Sequence, residues 1–149
     1  MGILDFQLVT PEKTVLEKEL TFLSCPTTLG QITILPHHIP LVATLVPGEL
    51  HAKTAKDEFF VYVAGGFVEV RPHNQVVVLA DAAEHHFEID QQLAEAAKVK
   101  AETAMQEKDT MSEQEYAKVA GVLQQSLARL NIARRHGHRK QPVENSFEQ

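Results

Sequence analysis

Residues 60–84, FVYVAGGFVEVRPHNQVVVLADAAE, constrain the fold more than any other part of the chain. Three extended segments follow one another there. Phe60-Val61-Tyr62-Val63 and Phe67-Val68-Glu69-Val70 are β-branched and aromatic, which suits a pleated surface. Val76-Val77-Val78-Leu79 is a continuous apolar run, the pattern of a strand buried on both faces. Gly65-Gly66 lies where the backbone needs a positive φ or a close approach. Pro72-His73-Asn74 carries the residue types of a tight turn. The segment therefore reads as an antiparallel meander, with strands before it and helix after Asp81.

The preceding residues agree. Leu4, Phe6 and Leu8 alternate with Asp5 and Gln7, the period of a half-buried strand. Further extended stretches are expected over residues 15–23, 32–35, 41–46 and 49–53, with 41–46 buried. Loops are expected at 26–30 and 36–40, where prolines and Gly30 break the pattern. Many short strands with frequent turns indicate a sandwich or barrel. From Ile89 the period becomes helical. Asp90 is placed to cap a first helix, along which Ala94, Ala97, Ala101 and Ala104 form a seam of small side chains. Ser112-Glu113-Gln114-Glu115 is a capping box for a second helix, with Tyr116, Ala120, Leu123, Leu127 and Leu130 along one face. The short link makes the two helices antiparallel neighbours. The expected architecture is β plus α: an antiparallel β-sandwich over residues 1–85, a two-helix antiparallel hairpin over 86–138, ended by Gly137 and Pro142, and a disordered tail over 139–149.

At 149 residues the chain can bury a full core without a covalent staple. Its one cysteine, Cys25, allows no internal disulfide, which fits a reducing compartment. No apolar run reaches the ~18–20 residues of a membrane span. The start lacks a signal or transit pattern, so a soluble protein that is not exported is expected. The net charge is −6, yet residues 129–140 hold five Lys or Arg and no Asp or Glu. A basic end on an acidic body suits an acidic protein surface or nucleic acid, and a solvated end without a partner is the bland reading.

No catalytic arrangement stands out. There is no phosphate-binding glycine loop, no nucleophile elbow and no zinc-protease helix. Adjacent histidines on a strand point to opposite faces, so His37-His38 and His85-His86 are poor chelators. The histidines are expected in surface loops, and no metal site and no cofactor is expected. Asp81 and Glu84 are taken as solvated carboxylates rather than an acid–base pair.

Seven short motifs occur in order: Leu8-Val9-Thr10-Pro11-Glu12; Pro26-Thr27-x-x-Gly30; Ile34-Leu35-Pro36-x-His38-x-Pro40-Leu41; Pro47-Gly48; Val63-Ala64-Gly65-Gly66-Phe67-Val68-Glu69-Val70; Val78-Leu79-Ala80-Asp81-x-Ala83-Glu84; and Ile89-Asp90. Together they resemble the epsilon subunit of the rotary, proton-translocating ATP synthase. The resemblance implies a non-catalytic rotor component of the central stalk, made of a ten-stranded sandwich and a helical hairpin. Its partners would be the gamma subunit and the membrane ring, with the catalytic beta subunits reached through the last helix. Nucleic acid would not be a partner, and the membrane would be met only indirectly, at the cytoplasmic face of a bacterial inner membrane.

On the same resemblance Gly30, Gln31 and His38 would face the ring, from two loops sharing one end or edge of the sandwich. Arg129, Arg134 and Arg135 would meet acidic loops of the catalytic subunits when the hairpin extends and impedes ATP hydrolysis. Gln31 stands where the family often has Glu, and Thr33 where it often has Gly. Ile89, Asp90 and Ala94 match part of a nucleotide-binding motif, but Leu93 occupies its arginine position. A leucine cannot pair with phosphate, so no ATP binding is expected. The alternative reading is a free-standing β-sandwich binding module, or a small hydrolase, with a site in histidine-rich loops.

Overall fold

The computed structural model describes residues 2–136. In chain order the strands are β1 (Leu4–Val9), β2 (Thr14–Leu20), β3 (Phe22–Thr27), β4 (Gly30–Ile34), β5 (Leu41–Leu45), β6 (Gly48–Lys53), β7 (Glu58–Val63), β8 (Gly66–Arg71), β9 (Gln75–Ala80) and β10 (Ala83–His85). Helix α1 (Gln91–Met105), one 3-10 turn (Lys108–Thr110) and helix α2 (Glu113–His136) follow. The expected helix end at Gly137 and Pro142, and the expected disordered tail, lie outside the described residues.

Among the described residues the strands pair as two layers, β4-β3-β6-β7-β10 and β5-β8-β9-β1-β2, joined by the single bridge Thr27–Leu45. Every pair is antiparallel except β1–β9, where the first strand runs alongside the ninth. Inward side chains of both layers form one core that includes Phe6, Leu23, Leu50, Val61, Val68 and Val78. The alternation of Leu4, Phe6 and Leu8 with polar residues is what puts those three inside. Gly66 is required by its surroundings: at φ +130°, a Cβ there would stand 2.0 Å from the Leu79 carbonyl oxygen.

Helix capping follows the local sequence. The Asp90 carboxylate accepts from the backbone N–H of Gln92 and Leu93. Ser112 Oγ accepts from Glu115 N–H, and Glu115 reaches back to the Ser112 N–H. The alanine seam sits between the helices, with Ala94 and Ala101 buried.

The structure corrects several expectations. The extended stretch over residues 15–23 breaks at Thr21 into β2 and β3. Pro26 belongs to β3 rather than to a loop. It sits where β3 has left β6 after Ser24 and is about to meet β5 at Thr27, so no ladder donor is needed. A short strand, β10, stands where helix was expected after Asp81, and it completes the ten strands of the expected sandwich. Neither β9 nor β5 is buried on both faces, since Leu79 is 50% and Val42 67% exposed. The strand with two buried faces is β7: Phe59, Val61 and Val63 enter the core, while Tyr62 meets Ile132 and Ala133 of α2. The reason is that the hairpin covers only the β6-β7-β10 side. On α2, Leu127 is 41% exposed, and Ser126, Leu130, Ile132, Ala133 and His136 are the buried positions.

Candidate functional site

The three residues expected at the ring lie along one edge. Among the described residues strand β4 pairs only with β3, so it is an edge strand. Gly30 and Gln31 are at its start, beside the two-residue hairpin of Thr28 and fully exposed Leu29. Thr27 Oγ1 donates to the Gly30 carbonyl and accepts from Leu29 N–H, which pins this tip. His38 is in the loop after the other end of β4. The two loops therefore share an edge but not an end. Gly30 and Gln31 are exposed, as expected, whereas His38 is half-buried, with Nδ1 2.6 Å from the Ile39 carbonyl. Gln31 donates to Ser24 Oγ at 2.6 Å and lines the same cleft as Asn131 and Arg135 of α2.

The three basic residues of α2 are each engaged. Arg129 Nη2 lies 2.9 Å from both carboxylate oxygens of Glu84 on β10, and its guanidinium sits 5.9 Å from the centre of the Tyr62 ring. Arg135 Nη1 is 3.1 Å from Glu49 on β6. Arg134 reaches across to Glu95 on α1 at 3.6 Å. Beside them His136 Nε2 is 3.1 Å from the other oxygen of Glu49. So two of the arginines and a histidine tie the end of α2 to the sandwich, and the third ties it to α1.

Under these polar links lies a small apolar contact of Tyr62, Ile89, Ile132 and Ala133, flanked by Ala64 and Ala128. Phe60 is stacked between two imidazoles, with ring centroids 4.6 Å from His51 and 3.6 Å from His136. His51 in turn pairs with the Glu58 carboxylate. His86 stands edge-on to Phe60 and is buried. This corrects the expectation that the histidines occupy surface loops: His86 and His136 are interior residues of the joint. The sequence does not mark Glu49, Phe60 and His136 as members of a joint. The available signal was that Phe59 to Val63 offers large apolar side chains on both faces, which demands a second cover.

Burial acts on two other groups. It pushes the Cys25 thiol up to about 12, leaving it a poor nucleophile. It also pushes the Tyr62 phenol up to about 12, with Arg129 opposing and Glu84 adding to the rise. Among the described residues no group of three or more His, Cys, Asp or Glu is placed to hold a metal. No described helix is long and apolar enough to cross a membrane. Asp90 is used as a helix cap, and Leu93 is 64% exposed on the first turn of α1.

The opposite layer carries an uncovered apolar strip. Phe67 pairs with Leu79 across β8 and β9 and with Thr44 across β8 and β5. Phe67 is 52% exposed, and with Val42 and Leu79 it forms an outward face that the hairpin does not reach.

Residues 3–86 match the family model described as the beta-sandwich domain of the ATP synthase delta/epsilon chain. The ATP synthase epsilon chain of Dehalococcoides mccartyi is 40% identical over 142 residues, spanning 95% of this chain and 99% of that protein. That of Herpetosiphon aurantiacus is 38% identical over 137 residues, spanning 92% and 98%. A chain in the Euglena gracilis mitochondrial ATP synthase shares the fold with a TM-score of 0.76 at 19% identity, covering 86% of this chain and 79% of that one. A chain in the central stalk and ring of the Tetrahymena thermophila mitochondrial ATP synthase overlaps with a TM-score of 0.51 at 18% identity, covering 58% and 69%.

Proposed function

The chain belongs to the ATP synthase delta/epsilon family, and from that premise we propose that it is a rotor subunit of the central stalk, coupling ring rotation to the catalytic head. It is a non-catalytic subunit. What carries the reading is that the likeness spans 95% of the chain, so hairpin and sandwich are both shared with a named epsilon chain.

Each surface then has a task. The exposed strip of Val42, Phe67 and Leu79 suits the gamma subunit, because it offers an uncovered apolar patch on a layer of the sandwich. Gly30, Gln31 and His38, along the β4 edge, face the membrane ring. The hairpin, when it leaves the sandwich, brings Arg129, Arg134 and Arg135 to acidic loops of the catalytic beta subunits and impedes ATP hydrolysis. The subunit works peripherally, at the cytoplasmic face of a bacterial inner membrane. With Leu93 at the motif's arginine position, nucleotide has no role in this proposal. The alternative of a site in histidine-rich loops is weakened because His51, His86 and His136 take part in the joint.

Co-purification from solubilised membranes tests the assignment. The chain is expected in a stoichiometric complex with a gamma-type subunit and a ring. Gln31→Ala combined with His38→Ala should weaken that assembly while leaving the fold intact. A free monomer, or unchanged assembly of the double variant across a concentration series, would contradict it.

A further inference from the structure

We infer that Glu49 and Glu84 hold the hairpin shut by occupying Arg135 and Arg129, two of the arginines its extended form would present, so that inhibition requires these two sandwich carboxylates to be exchanged for a partner's. The inference rests on the regulatory reading above and names the contacts that set its balance.

Four observations carry it. First, the two links come from separate strands, β6 and β10, and both end on the last two turns of α2. Second, the apolar cluster beneath them is small, with an alanine among its four buried members, and is extended only by the Phe60, His86 and His136 rings. Hydrophobic burial scales with area, so the polar links weigh more here than they would over a large core. Third, Glu49 is only 16% exposed and serves both Arg135 and His136, so opening the hairpin leaves one carboxylate without two partners. Fourth, the closed pairing is incomplete. Arg129 reaches Glu84 through Nη2 alone, and its buried Nε has no hydrogen-bond partner among the described residues. A guanidinium can donate in parallel from two nitrogens to one carboxylate. An acidic surface offering that geometry would satisfy a donor the closed state leaves idle. The closed state is thus held by contacts that a carboxylate-rich partner can both replace and improve.

The test is a distance measurement on the 149-residue chain. Labels go on Glu12→Cys in the β1–β2 turn and Asp109→Cys at the hairpin tip, both exposed. Cys25 is buried, with its thiol pushed up to about 12, and stays unlabelled. Glu84→Gln and Glu49→Gln should each raise the open-to-closed ratio by about fivefold, and the double variant by more. The reciprocal exchange Glu84→Arg with Arg129→Glu should return the ratio toward the parent value. Circular dichroism of the strands reports that the sandwich stays folded in every variant. An unchanged distance distribution in the double variant overturns the inference, as does an exchanged pair that stays as open as Glu84→Gln. Because only the isolated chain is measured, the closing contacts can fail this test while inhibition survives, or the reverse.

Discussion

The interior of the sandwich and the joint beneath the hairpin are built on opposite principles. Among the described residues the interior gathers nineteen buried side chains from both layers, from Leu4 and Phe6 to Val78 and Ala80. Among the described residues the joint gathers an apolar cluster of four, Tyr62, Ile89, Ile132 and Ala133, beside the buried rings of Phe60, His86 and His136, and rims them with ion pairs. Close packing makes the first resist any change of volume. The second, on the inference above, opens when its charges are replaced, with water and a partner's carboxylates competing for the same arginines. A packed body with an arm held largely by ion pairs suits the rotor and inhibitory roles proposed above: only a small gap between two arrangements lets a partner shift the population.

Substitutions should separate the two regions. Leu50→Ala is expected to cost the sandwich about 2–5 kcal/mol, since it removes a fully buried side chain from a core that can only partly collapse. Ile132→Ala should cost less, about 1–2 kcal/mol, because the joint can relax or open around it. Denaturation followed by strand and helix signals checks this. Leu50→Ala should lower both transitions together, while Ile132→Ala should move only the helical one. Equal shifts in both signals would mean that the hairpin and sandwich unfold as one unit, and the comparison would break.

A smaller effect sharpens it. The phenol of Tyr62 is raised from 10.0 to about 12, so the folded joint favours its neutral form. That contribution is fully present below pH 10, where the open form is also neutral. It is lost as pH rises from 10 through 12, because the uncovered phenol ionises first. Phenolate absorbance, with Tyr62→Phe as the reference, should show this residue titrating near 12 in the intact chain and nearer 10 once residues from Asp90 onward are deleted. Identical titrations in the two proteins would remove Tyr62 from the joint.

What could be read in the sequence divides along the same line. The caps at Asp90 and Ser112 depend on atoms a few residues apart, and local sequence is enough to place them. The alternation in β1 and the alanine seam in α1 are periodic and equally visible. The joint is not local. Glu49 meets Arg135 across 86 positions, and no spacing rule relates them. Periodicity also ranked the wrong strand as doubly buried. Val76 to Leu79 and Phe60 to Val63 are both continuous apolar runs, and which one gains a second cover depends on where the hairpin lands. Leu127 failed for the same reason: α2 turns its last two turns toward the sheet, so Ile132 and Ala133 replace it. The assignment of Gly30, Gln31 and His38 to a ring contact rests on family likeness, and only their placement along one edge follows from the strand pairing.

The most direct measurement is the ATP hydrolysis rate of the assembled enzyme carrying three forms of this chain: intact, deleted from Asp90 onward, and the Glu49→Gln, Glu84→Gln double variant. If the hairpin inhibits and the two carboxylates restrain it, the deletion should hydrolyse fastest. The double variant should hydrolyse slowest, because its arginines are free to leave the sandwich. Equal rates for all three would contradict the account and would leave the sandwich with the coupling role alone.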